Sequence, residues 1–273
     1  MKFKYLIILF INIIIFTVFI TALFPQMLSG FDIPDSLRYI VWAPMILMLL
    51  LLISLVIFYL LNYRLHSLLE REDWPALAFY LEQDIYIKGR YSSRKVRLLA
   101  SSYLVISDYA SVIKLENKVI HVKPSVVRKN ALLFGSARVL SGNHGEAAAF
   151  FKSNMHYGNA HSKCWMRWYF GFSQLLSGLF DGARIEFSSL AVSSEDALIT
   201  GLSAYFLDGS LARNSSMSGE CREIAGKGRS RVVLNIKNND NWNKEAKKRG
   251  NEIHIVIIRK YIDEAGKWLF SKN

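Results

Sequence analysis

The chain has 273 residues, a hydrophobic fraction of 52%, above the usual soluble range, and a formal net charge of +12. Two cysteines, Cys164 and Cys221, are too few for a disulfide framework and show no metal-ligand spacing. Only Lys2, Lys4 and Arg38 stand against Asp32 and Asp35 in the first sixty-one residues, so nearly all of the positive charge belongs to residues 62–273.

Residues 5–24 are uncharged and long enough, at 1.5 Å per residue, to match a hydrocarbon core of about 30 Å. Residues 39–61 are uncharged as well, with Trp42 near the start and Tyr59 near the end, where interfacial aromatics are expected. The expectation is a transmembrane hairpin over 1–61. A cleaved leader fits poorly, because the apolar run is long and Thr21-Ala22-Leu23 is a weak cleavage site. Pro25, Gly30 and Pro34 give the connection its turns. Basic residues at both outer flanks predict an integral membrane protein with both termini cytoplasmic, as in a bacterial inner membrane.

Beyond residue 61 the spacing of Leu65, Leu68 and Leu69 continues a helix, and Asp73 is placed to cap the next one, whose first turn tolerates Pro75. Further on, Phe134-Gly135 recurs as Phe170-Gly171, Leu140-Ser141-Gly142 as Leu176-Ser177-Gly178, Ala147 as Ala183 and Phe151 as Phe187, all at an offset of thirty-six. Such an offset is what stacked helix pairs produce. In that register Gly135 and Gly171 sit where paired helices approach, Gly142 and Gly178 end the first helix, and Ala147 and Ala183 permit close contact in the second. Phe151 and Phe187 then fill the space toward the next pair.

These stretches resemble the tetratricopeptide repeat family, in which a first helix carries a large residue followed by a small one and a second carries a small residue with an aromatic four positions on. The resemblance covers residues 62–210 and is carried most fully by 130–190. Gly201 and Tyr205 suggest a third, shortened unit, and Trp74, Leu77 and Leu81 an upstream second helix; Ala100 and Tyr103, with Tyr109, Val112 and Leu115, give a partial pair. The proline that the family favours after the second helix is missing after Phe151 and Phe187. The resemblance implies an all-α stack of antiparallel helix pairs and a protein-binding role.

Residues 211–273 read as a basic helical extension. The run RNSSMSGECREIAGKGRSR is polar and Gly-rich, which argues against a long helix, and NIKNNDNWNKEAKKRGN reads as loop or short helix. EIHIVIIRKYIDEAGKWLF places Ile255, Ile258, Ile262 and Leu269 near one face and favours a capping helix, although IHIVII also suits a strand.

The six histidines are scattered and no HExxH occurs. His156 and His161, with Cys164 nearby, are conceivable loop ligands, but surface or turn roles are the ordinary reading. GKGRSR lacks the strand a phosphate loop needs, and Ser141 and Ser177 precede turn glycines. No catalytic, cofactor or metal site is expected. Basic residues cluster at Arg90, Arg94, Lys95 and Arg97 and again at Lys244, Lys247, Lys248 and Arg249. The expectation is a membrane-anchored adaptor or scaffold whose partner is a protein, with an alternative role at anionic lipid or in self-association. No signature of nucleic-acid binding accompanies the charge.

Overall fold

The computed structural model describes residues 35–214 and 217–271. Every regular element among them is helical and no strand occurs, which agrees with the all-α expectation. The chain divides into two compact units, Met1–Leu77 and Ala78–Asn273.

In the first unit, α1 is a single helix, Asp35–Glu70. Among the described residues no helix is long and apolar enough to cross a membrane. This overturns the two-span, bilayer-held reading and, with it, the placement in a bacterial inner membrane. Residues 5–24 lie outside the described residues. The uncharged run 39–61 is not a separate span: it is the middle of a helix that begins at Asp35 and Arg38 and continues through Arg64, His66 and Glu70. Its Ile46, Leu49, Leu50, Ile53, Ile57 and Leu60 are exposed. A turn with Glu72 at φ 54° comes next, and Asp73 Oδ1 accepts from Ala76 N at 3.1 Å to start α2, Trp74–Glu82.

The second unit is a run of short antiparallel helices, several of whose starts are written in the sequence as side-chain caps. A π-helical turn, Gln83–Ile87, extends α2. Then come α3 (Ser93–Val105), capped by Ser92, and α4 (Tyr109–Val122), capped by Asp108. The short α5 (Pro124–Lys129) opens on proline, whose missing N–H has no helical partner in a first turn. Next are α6 (Ala131–Leu140), α7 (His144–Asn154), α8 (Ala160–Leu176), capped by Asn159, and α9 (Phe180–Ser193). Asp196 caps α10 (Ala197–Phe206), accepting from Leu198 N at 2.9 Å, and a second π-helical turn, Leu207–Leu211, extends it.

The core is built on α8. Trp165, Trp168, Tyr169 and Phe172 recur at helical spacing and are buried. Tyr169 stacks on Phe151 of α7 with ring centroids 5.2 Å apart, and Trp168 meets Phe187 of α9 at 5.9 Å and Phe206 of α10 at 6.0 Å. Pairs of this kind contribute about 0.5–1.5 kcal/mol each beyond area burial.

The same core runs through position 210 into the C-terminal residues. The Gly-rich run expected to resist helix forms much of α11, Ser218–Ile236. The cause is packing: a Cβ on Gly228 would lie 3.0 Å from Ala204 Cβ and 3.3 Å from Ala191 Cβ, so glycine there lets α11 lie against α9 and α10. Arg231 adds a terminal lock, donating to Ala191 O at 2.9 Å, to Ser194 O at 3.0 Å and to Val192 O at the end of α9. Beyond it lie α12 (Asn239–Lys248), α13 (Ile253–Ile257) and α14 (Arg259–Phe270), so IHIVII is helix up to Ile257 and a turn at Ile258 rather than a strand. Trp242 is wholly buried and its Nε1 donates to Ile262 O at 2.9 Å. Arg229 fastens the end of α14 through Leu269 O at 3.0 Å and Ser271 O at 2.7 Å.

Candidate functional site

Three groups of residues bear on function: the glycine and phenylalanine register of the helix pairs, the basic clusters, and a polar constellation against the aromatic core.

The register is one of close approach. An added Cβ on Gly135 of α6 would stand 2.2 Å from the Phe151 ring of α7, and one on Gly171 of α8 would stand 3.2 Å from the Phe187 ring of α9. Gly142 at φ +81° and Gly178 at φ +76° make the left-handed turns between the helices of each pair. Ala147, Ala183, Phe134, Phe151 and Phe187 are buried, and Phe170 is half-buried against the core. The glycines, alanines and second-helix phenylalanines thirty-six apart therefore meet like neighbours, whereas Phe134 and Phe170 differ in burial. Gly201 of α10 departs from this pattern, because what approaches it is Trp242 of α12, 2.6 Å from an added Cβ.

The basic clusters are less free than their sequence suggests. Asp84, buried in the π-helical turn, pairs directly with Lys95, with Lys88 and Arg90 each 3.6 Å away. Burial opposes the Asp84 charge, yet Lys95 first and then Arg90 and Lys88 hold its carboxyl below the ordinary carboxylate value. Arg97 Nε donates to Asn130 Oδ1 at 3.0 Å, while Arg94 is exposed. In the second cluster Lys248 meets Glu245 at 2.8 Å and Arg249 pairs with Asp196 and Glu245. Lys244 and Lys247 remain exposed beside a groove shared with Asp240, Asn243 and Arg259.

The constellation joins parts of the chain that sequence spacing does not connect. His161 Nδ1 lies 3.3 Å from Asp196 Oδ2, the same carboxylate that Arg249 engages. His254 is buried, its ring centroid 5.2 Å from that of Trp165, and its backbone oxygen accepts from the Tyr169 hydroxyl at 2.6 Å. Its Nε2 stands 3.4 Å from Glu252 Oε2 without hydrogen-bond geometry, and Trp165 Nε1 also has no hydrogen-bond partner among the described residues. Burial, reinforced by His161 and Arg249, drives the His254 pKa down to about 3, so this imidazole is neutral at pH 7. His161 thus faces a carboxylate, whereas His156 is exposed, and no group of three or more His, Cys, Asp or Glu suited to a metal occurs among the described residues.

A further buried pair, Glu116 with Arg138, links α4 to α6. Desolvation raises the Glu116 pKa against the opposing pull of Arg138, whose guanidinium also lies 4.4 Å from the Phe150 ring centroid.

The described residues define an all-helical protein. Residues 111–271, more than half the chain, match a family described as "Uncharacterised Treponema protein", and the chain belongs to that family. A protein of Treponema pallidum (strain Nichols), described as "Uncharacterized protein", is 28% identical over 283 residues, covering 99% of this chain and 88% of its own length. No solved structure matches.

Proposed function

We propose that the chain is a helical-repeat module, similar to tetratricopeptide arrays, that works as a protein-binding adaptor or scaffold rather than as a catalyst. The observation that supports this reading is the repeated register: Gly135 against Phe151 and Gly171 against Phe187, each pair closed by a left-handed glycine. Stacked pairs of this kind hold their outer faces rigidly on a shared core, and rigid, preorganised faces bind with less loss of conformational freedom. The titratable residues support the same reading. His161, Asp196 and Arg249 satisfy one another, and His254 is held neutral within the core.

The test is cross-linking of the full chain in intact cells, followed by reconstitution with each protein recovered. Stoichiometric binding of a purified partner is expected. A chain that cross-links to no other protein, or whose recovered neighbours do not bind it when purified, contradicts the proposal.

A further inference from the structure

The segment 88–97, KGRYSSRKVR, holds Lys88, Arg90, Arg94, Lys95 and Arg97 and no acid. It leads from the π-helical turn, through Gly89 at φ +63°, into the start of α3. A helix start carries the positive end of the macrodipole and favours acidic residues. The first turn of α3 has none, and Arg94 and Lys95 stand there instead.

Local electrostatics therefore oppose the residues that occupy this site. One carboxylate, Asp84, offsets the charge, and Lys95 engages it directly. Lys88 and Arg90 lie 3.6 Å from it and are largely solvent-exposed, and Arg94 pairs with no acid among the described residues. The second basic cluster differs: Lys247 and Lys248 lie in the last turn of α12, where cations suit the dipole, and Glu245 and Asp196 neutralise Lys248 and Arg249. Charge at 247–249 is explained by the helix that carries it, whereas that of Arg94 at the start of α3 is not, and Lys88, Arg90 and Lys95 share a single carboxylate. Local rules are broken in this way where a residue serves binding.

We propose that residues 88–97 form a docking surface for an acidic protein segment, a run of Asp or Glu whose carboxylates are taken by Arg90 and Arg94 with Lys88 alongside. This rests on the protein-binding reading and names the chemistry of the partner. Planar guanidinium groups match carboxylates in two-pronged fashion, which favours Arg90 and Arg94 as the anchors. The neighbouring aromatic rings are partly covered, Tyr91 being half-buried and Tyr86 having Lys118 Nζ 4.4 Å from its ring centroid, which leaves less ring surface for stacking a base and favours a protein partner.

The experiment uses the full chain, with a fluorescein-labelled oligoglutamate peptide read by anisotropy across a salt series. Single-stranded DNA of matched charge is the comparator. Binding that weakens with salt is expected, with a loss of about tenfold or more in Arg90→Glu/Arg94→Glu and little change in Lys244→Glu/Lys247→Glu. Arg94→Glu alone should keep the thermal midpoint of the parent or raise it, which separates lost binding from lost folding. Unchanged peptide affinity in the Arg90/Arg94 variant, loss confined to the Lys244/Lys247 variant, or tighter binding of the DNA overturns the proposal. A partner recovered in cells and bound equally by the Arg90/Arg94 variant overturns this inference and leaves the adaptor reading standing; recovery of no partner removes the adaptor reading itself.

Discussion

Acidification should weaken the second unit through His254. In the folded chain this imidazole is buried beside Trp165 and Tyr169, with a pKa of about 3, while in the unfolded chain it titrates near the ordinary value of about 6.5. Above pH 6.5 neither state is protonated, and the group adds no pH dependence. Below pH 6.5 the unfolded state takes up a proton that the folded state refuses, so stability falls until the pH reaches the folded value of about 3. At about 1.4 kcal/mol per pH unit, a drop from pH 7 to pH 5 costs about 2 kcal/mol from this residue. Glu252, 3.4 Å away, is the nearest acid, but it makes no hydrogen bond to Nε2 that would retain the proton. Urea unfolding of the parent and of His254→Gln at the two pH values isolates the effect, because the other titrating groups are common to both chains. The parent should lose about 2 kcal/mol more than the variant over that interval. Equal losses would refute the reasoning.

Gly135→Ala should be the costlier of the two register substitutions, by about 1–3 kcal/mol, because its Cβ meets the Phe151 ring at 2.2 Å whereas that of Gly171→Ala meets Glu186 Cβ at 3.1 Å; chemical denaturation midpoints give the order. Gly142→Ala places a side chain at φ +81° and should cost about 1 kcal/mol even though the space around it is open. Arg138→Met leaves Glu116 buried and unpaired and should cost about 3–5 kcal/mol, with much of the loss restored in Glu116→Leu/Arg138→Met. A double variant no more stable than the single one would show that Arg138 acts through its packing on Phe150 rather than through charge.

The helix pairs from 131 to 193 are legible in the sequence because their contacts are local. Glycine and the ring that covers it lie sixteen residues apart in each pair, as Gly135 with Phe151 and Gly171 with Phe187, so these two contacts recur in space as their residues recur in sequence. Beyond residue 210 this correspondence fails. The glycines of α11 suggest a broken helix, but Gly228 is a contact with Ala191 and Ala204 on helices that precede it by many residues, information that local propensity does not carry.

The constellation at His161, Asp196, Arg249 and His254 is hidden in the sequence for the same reason. Asp196 caps α10, and nothing near His254 in the chain signals that Trp165 and Tyr169 will enclose it. The basic clusters are visible as charge, while their neutralisation by Asp84, Asp196 and Glu245 depends on the fold. The membrane expectation rests on the uncharged runs 5–24 and 39–61; the first lies outside the described residues, and the structure makes the second one part of the longer helix α1, with charged and polar residues at both ends.

Hydrogen exchange of the full chain, alone and with the partner recovered by cross-linking, tests the binding-module account most directly. Slowed exchange should fall on contiguous helices of residues 78–273, including the start of α3, with the buried segments of α8 unchanged because they are already protected. A partner that leaves exchange across these residues unaltered would contradict it.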